Sequence, residues 1–133
     1  MGQQPLKTSI QRVVVPVRDY GLALQFYARL FHAEGTPVSE GRTYFDLGSI
    51  NLCVYHPESD GDDPVGPLST PIYLTVDDVD FAYENAVQAG ACAIEPVERR
   101  PWGERSFYCS DPSGNRLCFV EDRSMFRGEF YVD

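Results

Sequence analysis

Apolar and polar residues alternate over residues 10–17, with Val13, Val15 and Val17 on one side and Arg12, Val14 and Pro16 on the other. That is the period of a strand, and Pro16 ends it or holds it at a sheet edge, because proline cannot donate to a ladder. The period then lengthens. Leu22, Phe26, Tyr27, Leu30 and Phe31 recur at helical spacing, which predicts a helix over 20–32, capped by Asp19 and stopped by Gly35. Short strands are expected around 36–38, 43–47 and 50–55, with turns at Gly41 and Gly48-Ser49. Residues 57–70, rich in Pro, Gly and acids, read as a linker. The pattern restarts with Ile72, Leu74 and Val76, then Asp77-Asp78 as a helix start, a helix over 79–89 and Gly90 as its stop. Strands follow at 92–95, 106–109 and 117–120.

The restart is an internal repeat. Val13, Val15 and Val17 recur as Ile72, Leu74 and Val76 at a spacing of 59 residues, and Asp19 recurs as Asp78. Further on the spacing is 65 residues: Asp46 recurs as Asp111, and Leu52-Cys53-Val54 as Leu117-Cys118-Phe119. The second copy is longer by six residues, the length of the segment from Glu98 to Gly103, which holds the single tryptophan, Trp102. Each copy reads strand, helix and three strands. The valine face of each first strand should meet its helix, leaving the opposite face to line a cleft, a shape that collects ligands.

Composition narrows the partners. The chain has 133 residues and a net charge of -9, which argues against nucleic acid and anionic membrane surfaces. The four cysteines (Cys53, Cys92, Cys109, Cys118) form no Cys-x-x-Cys pair, and the first ten residues carry no apolar run of the signal-peptide kind. A cytoplasmic location with reduced thiols is the expectation. The segment 122–133 is apolar enough (Met125, Phe126, Phe130, Tyr131, Val132) to be expected to pack on its own domain or on a partner.

A doubled β-α-β-β-β unit of this length resembles the vicinal oxygen chelate superfamily of glyoxalases, extradiol dioxygenases, fosfomycin-resistance enzymes and bleomycin-resistance proteins. The likeness runs over about residues 10–121. Locally it is nearest to bleomycin-resistance proteins, through Pro101-Trp102-Gly103, the strand 106–109, Asp111-Pro112-Ser113-Gly114-Asn115 and the apolar strand 117–120. The resemblance implies an α+β fold: one domain, 9–133, of two βαβββ modules (9–56 and 71–121) joined by linker 57–70, curving round a cleft.

It also implies four metal-ligand positions, which here fall on Arg12, Cys53, Pro71 and Cys118, with Asn51 and Leu52 as alternatives for Cys53. A guanidinium repels a divalent cation, proline offers no donor atom, and two thiols alone make a poor site. No metal and no other cofactor is therefore expected. Neither His32 nor His56 falls in a ligand pattern. Glu104 and Arg105 flank the Trp loop and read as a solvated pair or as ligand contacts. The expected function is binding of a small molecule, antibiotic-like and planar or cationic. Trp102, Arg12, Tyr73, Phe45, Tyr108 and Cys118 are the candidate contacts. A homodimer is expected, with clefts at or near the subunit interface. The alternatives are a metal-dependent lyase or dioxygenase with displaced ligands, and a structural or regulatory dimer.

Overall fold

The computed structural model describes residues 2–127. Its elements run in the order β1 (Arg12–Pro16), α1 (Tyr20–Phe31), β2 (Thr36–Ser39), β3 (Arg42–Asp46), β4 (Asn51–Tyr55), β5 (Ile72–Val76), α2 (Val79–Ala89), β6 (Glu98–Arg99), β7 (Arg105–Ser110) and β8 (Arg116–Glu121). They make two four-stranded mixed sheets, ordered β1-β4-β3-β2 and β5-β8-β7-β6. In each, the first strand lies parallel to the last and the remaining pairs are antiparallel. The register repeats as well: Val13 faces Leu52 as Ile72 faces Leu117.

Both helices begin where a carboxylate meets an orphan amide. Asp19 Oδ1 accepts from Leu22 N (3.1 Å), and Asp78 Oδ1 from Phe81 N (3.0 Å). Helix α1 ends at His32, whose backbone is left-handed (φ 51), and not at Gly35. Gly35 has another duty. A Cβ there would lie 2.4 Å from Thr43 Cγ2 and 2.9 Å from Phe45 Cζ, so glycine lets the chain pass close over β3. Helix α2 ends as expected, at left-handed Gly90.

The helices lie on one side of the sheets and pack on each other. Helix α1 buries Ala23, Phe26, Tyr27 and Leu30, while α2 buries Val79 and three alanines, Ala82, Ala86 and Ala89. Small residues on one helix admit the bulk of the other. Val15, Val17, Phe45, Leu52, Phe107, Leu117 and Phe119 complete one continuous core shared by both halves.

A polar lock joins the halves. Asp111, 1% exposed, accepts from the Tyr27 hydroxyl (2.7 Å), the backbone N–H groups of Ser113 and Asn115 (2.9 Å each) and Asn115 Nδ2 (2.9 Å). Asn115 Nδ2 also donates to the Pro16 carbonyl (2.8 Å), and Asn115 Oδ1 accepts from Leu68 N (2.8 Å). Ser113 Oγ accepts from Arg18 N (3.0 Å). Four donors keep this buried carboxylate satisfied without a cation. Burial beside it, and its charge, push the Tyr27 hydroxyl well above its ordinary pKa. The Asp-Pro-Ser-Gly-Asn turn thus fastens β8 to the end of β1.

One expectation needs correction. Residues 92–95 form no regular strand: Cys92 makes a single bridge to Ser110, and Ala93 has a positive φ (46) that breaks the ladder. The short strand lies at β6 instead. The linker is anchored, because Asp60 accepts from Ser39 Oγ (2.8 Å), Gly41 N (2.7 Å) and the Arg42 guanidinium, and Tyr55 donates to Asp62. At the C-terminal end, Phe126 N donates to Glu104 Oε2 (2.9 Å). Phe130, Tyr131 and Val132 lie outside the described residues. Among the described residues no helix is long and apolar enough to cross a membrane.

Candidate functional site

Residues paired across neighbouring strands share a face, so the register divides each sheet into a helix side and an open side. On the second sheet one open-side row is Tyr73, Cys118 and Tyr108. Thr75, Val120 and Ser106 form the row on one side of it, and Arg116 with Ser110 the row on the other. Tyr73 and Tyr108 meet edge to face at 6.4 Å, their hydroxyls 3.5 Å apart. Two guanidiniums lie over the Tyr108 ring, Arg100 at 5.2 Å and Arg116 at 5.5 Å from its centroid. Arg100 is anchored by Ser106 Oγ (2.8 Å), the Ser106 carbonyl (3.1 Å) and Glu98 (3.1 Å). Arg116 is anchored by Glu95 (3.1 Å) and the Ala93 carbonyl (3.2 Å). The hydrogen bond with Tyr73, and then burial, raise the Tyr108 hydroxyl above its ordinary pKa, so it stays protonated. Tyr73 is 62% exposed whereas Cys118 is 1% exposed, so this face offers a ligand its tyrosine rather than the expected thiol.

The first sheet repeats the design. Its central row is Val14, Cys53 and Tyr44, its outer rows Arg12, Asn51, Asp46 and Pro16, Tyr55, Arg42. Arg12 lies 5.7 Å over Tyr44, and Arg42 4.3 Å over Tyr55. Cys53 therefore shares the open side with Asn51, while Leu52 goes to the core. Arg12 is exposed, and its guanidinium donates to Gln11 Oε1 (2.7 Å).

Phe45 is not on this wall. It is 2% exposed on the helix side, against Tyr27 and Phe31, and Tyr44 holds the open position. Adjacent aromatics on one strand must take opposite faces, and composition alone does not say which goes inward. Tyr44, Arg42, Arg100 and Arg116 belong to the open faces and were not among the expected contacts. For Tyr44, Arg42 and Arg116 the signal was the cross-strand register, whereas Arg100 reaches Tyr108 from the loop after β6.

Trp102 stands in the turn between Arg100 and Glu104, 55% exposed, with Nε1 donating to Glu104 Oε1 (2.8 Å). Glu104 is thus occupied in holding the loop and the segment at Phe126. Arg105 points to the helix side, where it pairs with buried Glu121 (2.9 Å) and with Asp80 (3.3 Å). Asp78 is the α2 cap. His56 stacks on Tyr20 at 5.6 Å, with Nδ1 2.8 Å from Ser59 Oγ, so it is packed rather than solvated.

The donor set does not suit a metal. Arg12 and Pro71 supply no ligand atom, which leaves only the Cys53 and Cys118 thiols, both buried, without imidazole or carboxylate support. No three His, Cys, Asp or Glu side chains among the described residues are grouped so as to hold an ion. Nor is a thiol nucleophile available on the core side, where burial pushes Cys109 up to about 12.

Comparison with known proteins places this geometry in context. Residues 9–119 match the family model of the Glyoxalase/Bleomycin resistance protein/Dioxygenase superfamily. The chain is similar to an uncharacterised protein of Mycobacterium bovis, 32% identical over 112 residues covering 74% of each. It is 23% identical to the metallothiol transferase FosB of Lysinibacillus sphaericus, over 92% of this chain and 89% of that protein. Among solved structures, a glyoxalase-related enzyme from Fulvimarina pelagi superposes with a TM-score of 0.72 at 17% identity, covering 86% of this chain and 88% of the other.

Proposed function

We propose that this chain, which belongs to the Glyoxalase/Bleomycin resistance protein/Dioxygenase superfamily, binds a planar small molecule on its open sheet faces without metal and without catalysis. The observation that carries the reading is the row Tyr73, Cys118, Tyr108 with two guanidiniums over one ring. Flat surfaces of tyrosine and arginine favour stacking on a planar partner. Two of the four positions that would carry metal ligands, Arg12 and Pro71, offer none, and burial raises the pKa of the thiols at the other two, which supports affinity rather than chemistry as the function. Antibiotic sequestration needs only affinity. Two copies of the chain pairing over these faces would enclose the ligand, so a homodimer is part of the proposal.

The test is titration of the purified chain with bleomycin and with neutral planar aromatics. Trp102 fluorescence is followed, and metal content is measured on the same sample. Saturable quenching by a ligand in metal-free protein supports the reading, and Tyr108→Ala should weaken binding at least tenfold. Stoichiometric metal, with ligand response lost on chelation, would replace it with the metal-dependent lyase or dioxygenase alternative.

A further inference from the structure

The two halves differ at one pair of equivalent places. At the end of β1, the Asn115 carboxamide and the Ser113 hydroxyl take the Pro16 carbonyl and the Arg18 N–H. Asn51 N donates to the Gln11 carbonyl and Val17 N to the Tyr55 carbonyl, so alternate residues of β1 face β4 and the Pro16 carbonyl turns to the free edge. At the repeat spacings of 59 and 65 residues, Pro16 and Arg18 correspond to Thr75 and Asp77, and Ser113 and Asn115 to Gly48 and Ile50. The register is the same in both sheets, so the Thr75 carbonyl and the Asp77 N–H turn outward at the end of β5. Neither Gly48 nor Ile50 carries a side-chain donor or acceptor, and no side chain among the described residues bonds to either group. In place of the lock there is a cavity of about 400 Å³ whose wall includes Phe31, Ile50, Leu74, Thr75, Asp77 and Phe81.

We infer that this cavity, which borders the open face of the second sheet at Tyr73 and Thr75, is a second binding site, for a small planar apolar molecule bearing a neutral carboxamide. The amide N–H donates to the Thr75 carbonyl and the amide oxygen accepts from the Asp77 N–H, as Asn115 and Ser113 together do in the other half. The ring lies on the apolar wall. A carboxylate has no proton for the Thr75 carbonyl and meets the Asp77 and Asp78 side chains; an ammonium is attracted by those carboxylates and can donate to the Thr75 carbonyl but has no acceptor for the Asp77 N–H, so only an amide satisfies both backbone groups. The occupant is therefore neither acid nor base but an amide.

The probe is benzamide, with benzoate and benzylamine as comparators, titrated into the 133-residue chain and followed by amide NMR. Saturable shifts centred on Ile50, Thr75 and Asp77, with benzamide at least tenfold tighter than either comparator, are expected. Ile50→Asn supplies the absent carboxamide from the chain itself. It should raise the melting temperature and weaken benzamide at least tenfold. Ala82→Leu, which narrows the same cavity, gives the second reading and should weaken benzamide without adding an amide. Shifts confined to other residues, equal binding of benzylamine, or unchanged benzamide affinity in both variants would overturn the assignment.

Discussion

At the scale of single residues, Asp111 carries more of the structure than any ion pair. Its carboxylate meets four donors in a site that water does not reach. Asp111→Ala should therefore cost roughly 3–5 kcal/mol, since several buried donors lose their acceptor at once, and Tyr27→Phe about 1–2 kcal/mol. Equilibrium urea unfolding checks both. Two other carboxylates set an expectation for acid. The Glu121 carboxyl is held below its ordinary pKa by Arg105, Ser124 and Arg123 against the cost of burial, and Asp60 is held low by Ser39, Gly41 and Arg42. A lowered folded-state pKa means the stabilisation is complete above the ordinary carboxylate value, roughly 4. It is lost as pH falls through the folded value. Melting temperature should thus hold steady near neutrality and drop below about pH 4. In Glu121→Gln that acid-side drop should be shallower. Much of this was hidden in the sequence. Asp111 and Asn115 read as turn chemistry, and nothing in Asp-Pro-Ser-Gly-Asn says that its side chains reach Tyr27 and Pro16.

At the scale of elements, periodicity served where one face is buried and a carboxylate marks the start. The helix over 79–89 was legible to the residue, because Asp78 and Gly90 bracket it. The end of α1 was not, because a histidine adopts the left-handed cap that glycine usually takes. His32→Gly should relieve that backbone and raise stability by up to about 1 kcal/mol, offset in part by loss of the contact with Phe81. Gly35→Ala should do the opposite, lowering stability by about 1–3 kcal/mol, since β3 side chains occupy the space a methyl would need. Differential scanning calorimetry on the two variants separates the roles. The segment at 92–95 shows the limit of strand propensity. Cys92 exchanges both bonds with Ser110, and Glu95 N reaches the Tyr108 carbonyl, yet Ala93 between them leaves extended geometry. The open faces were half legible: alternation set Arg12 and Tyr73 opposite the helix-facing positions of their strands, and the resemblance pointed to Cys118, but the choice between Tyr44 and Phe45 required the register.

At the scale of the molecule, the repeat has not produced two independent units. The core runs through both halves, α1 lies on α2, and the Asp111 lock ties the second hairpin to the first strand and first helix. Neither half alone would bury Tyr27 or satisfy the Pro16 carbonyl, so neither should fold as a separate cooperative unit. The prediction has a convenient reporter, because Trp102 belongs to the second half only. Asp19→Ala removes the cap of α1, in the first half, at a cost of about 1 kcal/mol. With a urea m-value of roughly 1–3 kcal/mol/M, its unfolding midpoint should fall by about 0.3–1 M. If the halves unfold together, Trp102 fluorescence and far-ultraviolet circular dichroism shift by the same amount. If the first half melts alone, the dichroism curve splits and the fluorescence midpoint stays in place. Coincident shifts would also explain why the Asp-Pro-Ser-Gly-Asn turn is built so differently from its counterpart at 46–50: one such lock is enough to couple the halves, which leaves the other position free to remain a cavity.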